Sequence, residues 1–217
     1  METVTARRPL KTRQAGWART FAQFLARHRV SPNGISILSI FCAAGAGVAM
    51  FFSARLGTTW RVWLLLAAAA GIQLRLLCNM LDGMVAVEGG LQTKSGEVFN
   101  DLPDRISDAF ILIPVGYAVF NQPYGPLLGW LAALLAIFTA YVRMMGGAAG
   151  LKQSFMGPMA KPHRMFALTV GCVLSILETW YLHRGIILWL DLIIINLGCV
   201  ITIWRRTANI IRELEAR

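Results

Sequence analysis

The sequence predicts an all-α integral membrane protein: six transmembrane helices preceded by an N-terminal amphipathic juxtamembrane helix. Three observations predict it. Of the 217 residues, 56% are hydrophobic and only 15% are charged, against roughly 25% charged in an average soluble domain. The apolar residues gather in runs long enough to cross a bilayer, which takes about 20 residues per helix. The basic residues, which give a formal charge of +10, flank those runs. In that position they point to topology and anionic lipid head groups rather than to nucleic acid.

Residues 1–15 read as a basic arm. They lack the apolar stretch of a cleavable signal peptide. Residues 16–29 suit an amphipathic helix, with Trp17, Phe21, Phe24 and Leu25 on one face and Arg19, Arg27 and Arg29 elsewhere. Pro32 and Asn33 open the first span, over 33–53. Further spans follow over 60–87, 99–120, 126–146, 163–181 and 185–204, making 33–204 a six-helix bundle, with a cytoplasmic tail over 205–217. One transmembrane domain, 1–217, is therefore expected. Lys94, Lys152, Lys161, Arg164, Arg205, Arg206 and Arg212 share a side with the N-terminal arm, and the positive-inside rule makes that side cytoplasmic. Cys42, Cys78, Cys172 and Cys199 form no CxxC pair and read as small buried hydrophobes.

Residues 76–110 break the apolar pattern at the join of the second and third spans. Polar groups near membrane depth are costly and by default face one another or a cavity. Asn79, Asp82 and Ala86 share one helical face, and Gly96, Asn100, Asp104 and Asp108 share another. A Gly-rich turn between them lets the faces meet. Such a set of oxygens suits a hard divalent cation, and Gly83, Ala86 and Gly96 leave room for a bulky ligand.

These residues carry a resemblance. Asn79-x-x-Asp82-Gly83-x-x-Ala86-Val87, eight residues, then Gly96-x-x-x-Asn100-x-x-x-Asp104 is similar to the D-x-x-D-G-x-x-A-R…G-x-x-x-D-x-x-x-D pattern of CDP-alcohol phosphotransferases. Every spacing agrees over 26 positions. Pro32-Asn33-x-x-Ser36 also resembles the family, and Tyr141-x-Arg143 its bacterial inositol-phosphate branch. The departures are Asn79 and Asn100 at the first and third aspartates and Val87 at the arginine. Each Asn keeps a ligating oxygen and removes a negative charge; Glu97, Asp101 or Asp108 is a replacement carboxylate, Asp108 being the best placed by register.

The resemblance implies a transferase that moves a phosphatidyl group from CDP-diacylglycerol to an alcohol or alcohol phosphate and releases CMP, in phospholipid synthesis. It implies Mg²⁺ or Mn²⁺ held by Asn79, Asp82, Asn100 and Asp104, with Asp104 as general base and Gly83, Ala86 and Gly96 beside the cytidine. It further implies a homodimer in the inner (cytoplasmic) membrane, among membrane lipids, with both termini and the active site cytoplasmic. Arg143, Lys161 and Arg164, along with Lys152, are basic residues suited to an anionic acceptor, or else serve topology. Arg75, a turn before Asn79, can pair with Asp82 or Asp108 or contact a phosphate. Two other readings compete: a non-catalytic CDP-lipid-binding relative or membrane interaction protein, and an ion pathway lined by carboxylates, which no inverted repeat supports.

Overall fold

The computed structural model describes residues 16–93, 95–181 and 185–217, apart from the side chain of Glu97. The expected basic arm, 1–15, lies outside the described residues, as do Lys94, His183 and Arg184. Seven helices run in order among the described residues: α1 Gly16–Arg27, α2 Pro32–Ser53, α3 Thr58–Glu88, α4 Gly96–Ala118, α5 Gly125–Ala148, α6 Lys161–Tyr181 and α7 Ile186–Glu215. Each expected span coincides with one helix. Four of them, α2, α3, α5 and α7, are long and apolar enough to cross a membrane. Two spans of the expected six, α4 and α6, do not meet that measure. Asp101, Asp104, Arg105 and Asp108 interrupt α4, and Lys161, Arg164 and Glu178 dilute α6. The last span is also longer than expected, because α7 runs without a break into the tail.

Local signals explain the helix ends. Ser31 caps α2, its Oγ accepting from Gly34 N at 2.9 Å, and Pro32 fills the first helical position. Gly185, at φ 68°, turns the chain into α7. The first amides of α7 are held by the buried Glu178 carboxylate: Ile186 N donates to Oε1 at 2.6 Å and Ile187 N to Oε2 at 3.4 Å. An acid there also meets the positive end of the helix dipole.

Small residues let the helices approach backbone to backbone, as packing in lipid favours. A Cβ on Gly47 of α2 would collide with the Phe110 carbonyl of α4. Pro114, four residues beyond Phe110, cannot donate to that carbonyl. A Cβ on Gly116 of α4 would meet the Gly129 Cα of α5 at 2.9 Å, and one on Gly89 would meet Ala26 of α1 at 2.8 Å. Asn196 bridges α7 to α5, donating to the Leu128 carbonyl at 3.1 Å, the helix–helix bond expected of a mid-span amide. The outward faces are apolar: Phe41, Trp63, Phe166 and Leu197 are all exposed. On α1, Trp17, Phe21 and Phe24 are exposed while Ala18 and Ala22 are buried.

The interior is charged at one level. Asp108 of α4 is 0% exposed, Arg75 of α3 0% and Arg164 of α6 1%. Arg75 Nη2 and Arg164 Nη2 each lie 2.7 Å from a different Asp108 oxygen. Arg75 Nη2 also donates to the Asp104 carbonyl at 3.1 Å, and Arg164 Nη1 to the Met159 carbonyl at 2.8 Å. This triad ties three helices together and brings the head of α6 to the join of α3 and α4.

Two outcomes follow from this packing. Asp108→Asn strands two buried guanidinium groups against a neutral amide, and breaking a buried pair costs about 3–5 kcal/mol; thermal unfolding in detergent should fall sharply, and an unchanged transition would show that the triad does not hold the helices. Gly116→Leu forces α4 and α5 apart, an overpacking cost of at least about 1–3 kcal/mol, read by the same melt.

Candidate functional site

The polar faces of α3 and α4 meet as the spacing predicts. Asn79 Nδ2 donates to Asp104 Oδ1 across the two helices. Asp82 lies one turn beyond Asn79 on the same face of α3. Asp82 is buried and pinned at both oxygens. Its Oδ2 accepts from Ser36 Oγ of α2 at 2.6 Å, and its Oδ1 from the amide of Gly83 at 2.5 Å. The Pro32-Asn33-x-x-Ser36 stretch thus has a use that its sequence did not disclose: the capped first turn of α2 aims a hydroxyl at Asp82.

The expected basic residues reach this site unequally. Lys161, the first residue of α6, pairs its Nζ with Asp104 Oδ1, the oxygen that Asn79 also holds. Arg75 Nη2 stands 3.6 Å from the same oxygen. Arg105 Nη2 stands 3.9 Å from Asp104 Oδ2. Arg143 of α5 forms a two-pronged pair with Asp101, at 2.8 and 3.1 Å, and lies over the Phe155 ring. Its Nε is buried without a hydrogen-bond partner. Arg164 is spent on Asp108, on the Met159 carbonyl and, at 3.3 Å, on Thr139 Oγ1. It reaches the site only through the triad, so its place is in the wall rather than in an open acceptor pocket. Lys152 is exposed on the loop after α5.

Two other expectations change. Asp108 cannot be the replacement carboxylate for a cation, because both its oxygens already face guanidinium groups and it is fully buried. Asp101 is likewise engaged, by Arg143 and by Arg105 at 3.5 Å. Asn100 lies one turn before Asp104, on the exposed part of α4; Gly83, Ala86 and Gly96 are half-buried around the junction, and Val87 is exposed.

The donor set fits a hard divalent cation in kind. Asn79 Oδ1 is buried with no hydrogen-bond partner, and an orphaned amide oxygen beside two carboxylates is what a cation would satisfy. Among the described residues no three His, Cys, Asp or Glu side chains converge on a metal position, so the site offers two carboxylates supplemented by amides.

The family model for CDP-alcohol phosphatidyltransferases matches residues 29–204. The chain is 28% identical over 196 residues to an uncharacterised protein of Aquifex aeolicus, with 89% of each covered. It is 26% identical over 159 residues to the phosphatidylinositol phosphate synthase of Mycobacterium tuberculosis, covering 71% of this chain and 68% of that one. The crystal structure of the Mycobacterium tuberculosis synthase with CDP-DAG bound shares the fold with a TM-score of 0.71 at 20% identity, over 90% of this chain and 94% of that one. The same synthase in complex with manganese and citrate gives 0.70 at 22% identity, over 89% and 88%. With residues 29–204 matched, a stretch that runs from the turn before α2 into α7, the chain belongs to the CDP-alcohol phosphatidyltransferase family.

Proposed function

We propose that the protein is a divalent-metal-dependent transferase that moves a phosphatidyl group from CDP-diacylglycerol to the hydroxyl of a small polar alcohol or alcohol phosphate, releasing CMP. The observation that carries this reading is the contact of Asn79 with Asp104, beside Asp82, where the polar faces of α3 and α4 meet. Asn79, Asp82, Asn100 and Asp104 would hold Mg²⁺ or Mn²⁺. When bound, the cation supplies Lewis-acid stabilisation of the pyrophosphate and of the departing CMP.

The chain's own residues supply the rest. Ser36 and the Gly83 amide fix both oxygens of Asp82, so its carboxylate meets the donor without reorganising. Asn79 and Lys161 hold Oδ1 of Asp104, which leaves Oδ2 to take the proton from the acceptor hydroxyl. Gly83, Ala86 and Gly96 would border the cytidine. Arg143, with its unpartnered buried Nε and planar fork, suits an acceptor phosphate that displaces Asp101. Lys161 stands between donor and acceptor. The site lies at the end of the bundle where Lys161, Arg143 and Arg206 gather, and the positive-inside rule makes that end cytoplasmic. In a bacterial cell the protein would be a six-span bundle of the inner membrane. The exposed aromatic face of α1 would rest on the lipid surface. Family resemblance is the basis for a homodimer.

A second reading has one observation in its favour. Lys161 occupies the carboxylate that should serve as base, which suits a relative that binds the CDP-lipid without turning it over.

The assay that separates the two is CMP release from CDP-diacylglycerol with Mg²⁺ or Mn²⁺ over a panel of alcohols and alcohol phosphates. Release with at least one acceptor is expected; stabilisation by CDP-diacylglycerol with no CMP from any acceptor would favour the binding protein, and turnover of a CDP-aminoalcohol with diacylglycerol would reverse the donor assignment. Asp104→Asn should lose about 10²–10⁴-fold in kcat, the usual worth of a general base, while its elution on size exclusion stays unchanged. Arg143→Ala should raise the KM for a phosphorylated acceptor by roughly ten-fold or more, as expected for a lost charge-assisted fork, and leave that for CDP-diacylglycerol unaltered.

A further inference from the structure

Lys161 is out of place by ordinary helix rules. It is the first residue of α6, where the dipole is positive and an acid or a neutral cap is favoured. Its side chain turns inward to Asp104 and is only 21% exposed. It has little freedom to leave. Pro162 follows it, and Arg164, three residues on, is clamped to Asp108 at 2.7 Å.

The charges around it balance before any ion arrives. Arg75, Lys161 and Arg164 pair with Asp104 and Asp108, and counting Asp82, one turn beyond Asn79 on α3, three positive charges stand against three negative. The next shell, Arg105 and Arg143 around Asp101, adds one further positive charge. Displacements at phosphorus that use two divalent cations bring four positive charges, which the surrounding carboxylates must largely offset. Here only Asp82 and Asp104 carry charge at the four motif positions, because Asn79 and Asn100 are amides. One divalent cation together with a pyrophosphate diester, which carries two negative charges, leaves the inner cluster neutral. A second cation would leave two uncompensated positive charges beside Arg75, in a site walled by apolar helices where unpaired charge is expensive. Geometry agrees. Asp104 Oδ1 already accepts from Asn79 Nδ2 and pairs with Lys161 Nζ, with Arg75 at 3.6 Å, whereas Asn79 Oδ1 has no partner at all.

We propose that this site takes a single divalent cation and that the Lys161 ammonium is its second, built-in positive centre, held on Asp104. The proposal rests on the metal-dependent reading above. It gives the two asparagines a reason: with a lysine in place of a divalent ion, aspartates at 79 and 100 would leave the cluster too negative.

The test counts metal. Full-length protein in detergent, saturated with CDP-diacylglycerol, is titrated with Mn²⁺, and free ion is followed by electron paramagnetic resonance. The doubly substituted Asp82→Ala, Asp104→Ala protein sets the background. One equivalent per chain is expected. Two equivalents overturn the proposal, and none overturns it together with the metal dependence. Lys161→Gln should bind its Mn²⁺ at least ten-fold more tightly, because a positive charge leaves the site; unchanged or weaker binding overturns the proposal, whereas a merely structural lysine would lower stability without tightening the metal. Combining Asn79→Asp, Asn100→Asp and Lys161→Gln should admit a second equivalent, and one equivalent in that folded variant counts against the charge argument. CMP release is read in the same samples. One equivalent without CMP keeps the proposal and sinks the transferase reading; two equivalents with CMP do the reverse.

Discussion

A single carboxylate organises the protein. Asp108 sits inside the bundle with a guanidinium on each oxygen, and its two partners come from two other helices, α3 and α6. A buried ion in low dielectric is tolerated only when its partners and remaining hydrogen bonds are all in place. That condition fixes three helices at one level and one rotation. Asp104 is one turn nearer the start of α4, so its position is inherited from Asp108. Lys161 is one turn before Arg164, so it arrives at Asp104 for the same reason. The site is thus the next layer of a structural ion cluster, and its geometry is set by burial that no ligand needs to provide.

That layering separates rigid parts from adaptable ones. Asp82 is held from α2 by Ser36 and by its own neighbouring amide. Asp104 is held from α3 by Asn79 and from α6 by Lys161. The outer residues pair among themselves: Arg143 and Arg105 share Asp101, all three partly exposed. In the proposed transferase, preorganisation would be concentrated where charge must be met without delay, and exchangeable pairing would lie where an anionic group enters.

Much of this was legible in the sequence, and the limit has a physical cause. Helical periodicity places Asn79 with Asp82 and Asn100 with Asp104 on their own faces, and the short turn between α3 and α4 brings those faces together. Both inferences use contacts local in sequence. Register could not tell which of Asp104 and Asp108 was free, since both lie on the same face; the choice is made by Arg164, 56 residues away in the chain from Asp108. Ser36 is 46 residues from Asp82, and Glu178 caps α7 from the end of α6. Hydropathy found the six bundle helices, yet it grades α4 and α6 below the others, because the charges that make the site are carried on them. Two of the three helices that hold the ion cluster together, α4 and α6, are the ones least like membrane spans.

The same reasoning constrains which substitutions can occur together. In water a surplus charge is screened within about 10 Å at 0.1 M salt, so positions can vary independently. Between apolar helices that screening is missing, and the six charges around Asp104 and Asp108 behave as one group. Losing a carboxylate at position 79 or 100 is therefore not a local event; it changes how much positive charge the whole cluster can accept. An amide keeps the oxygen and the shape, and Asn79 adds a donor that a carboxylate lacks, the Nδ2 that steadies Asp104. On the single-cation proposal, the departures from the family pattern at these positions and the lysine that meets them would form one electrostatic solution rather than separate defects.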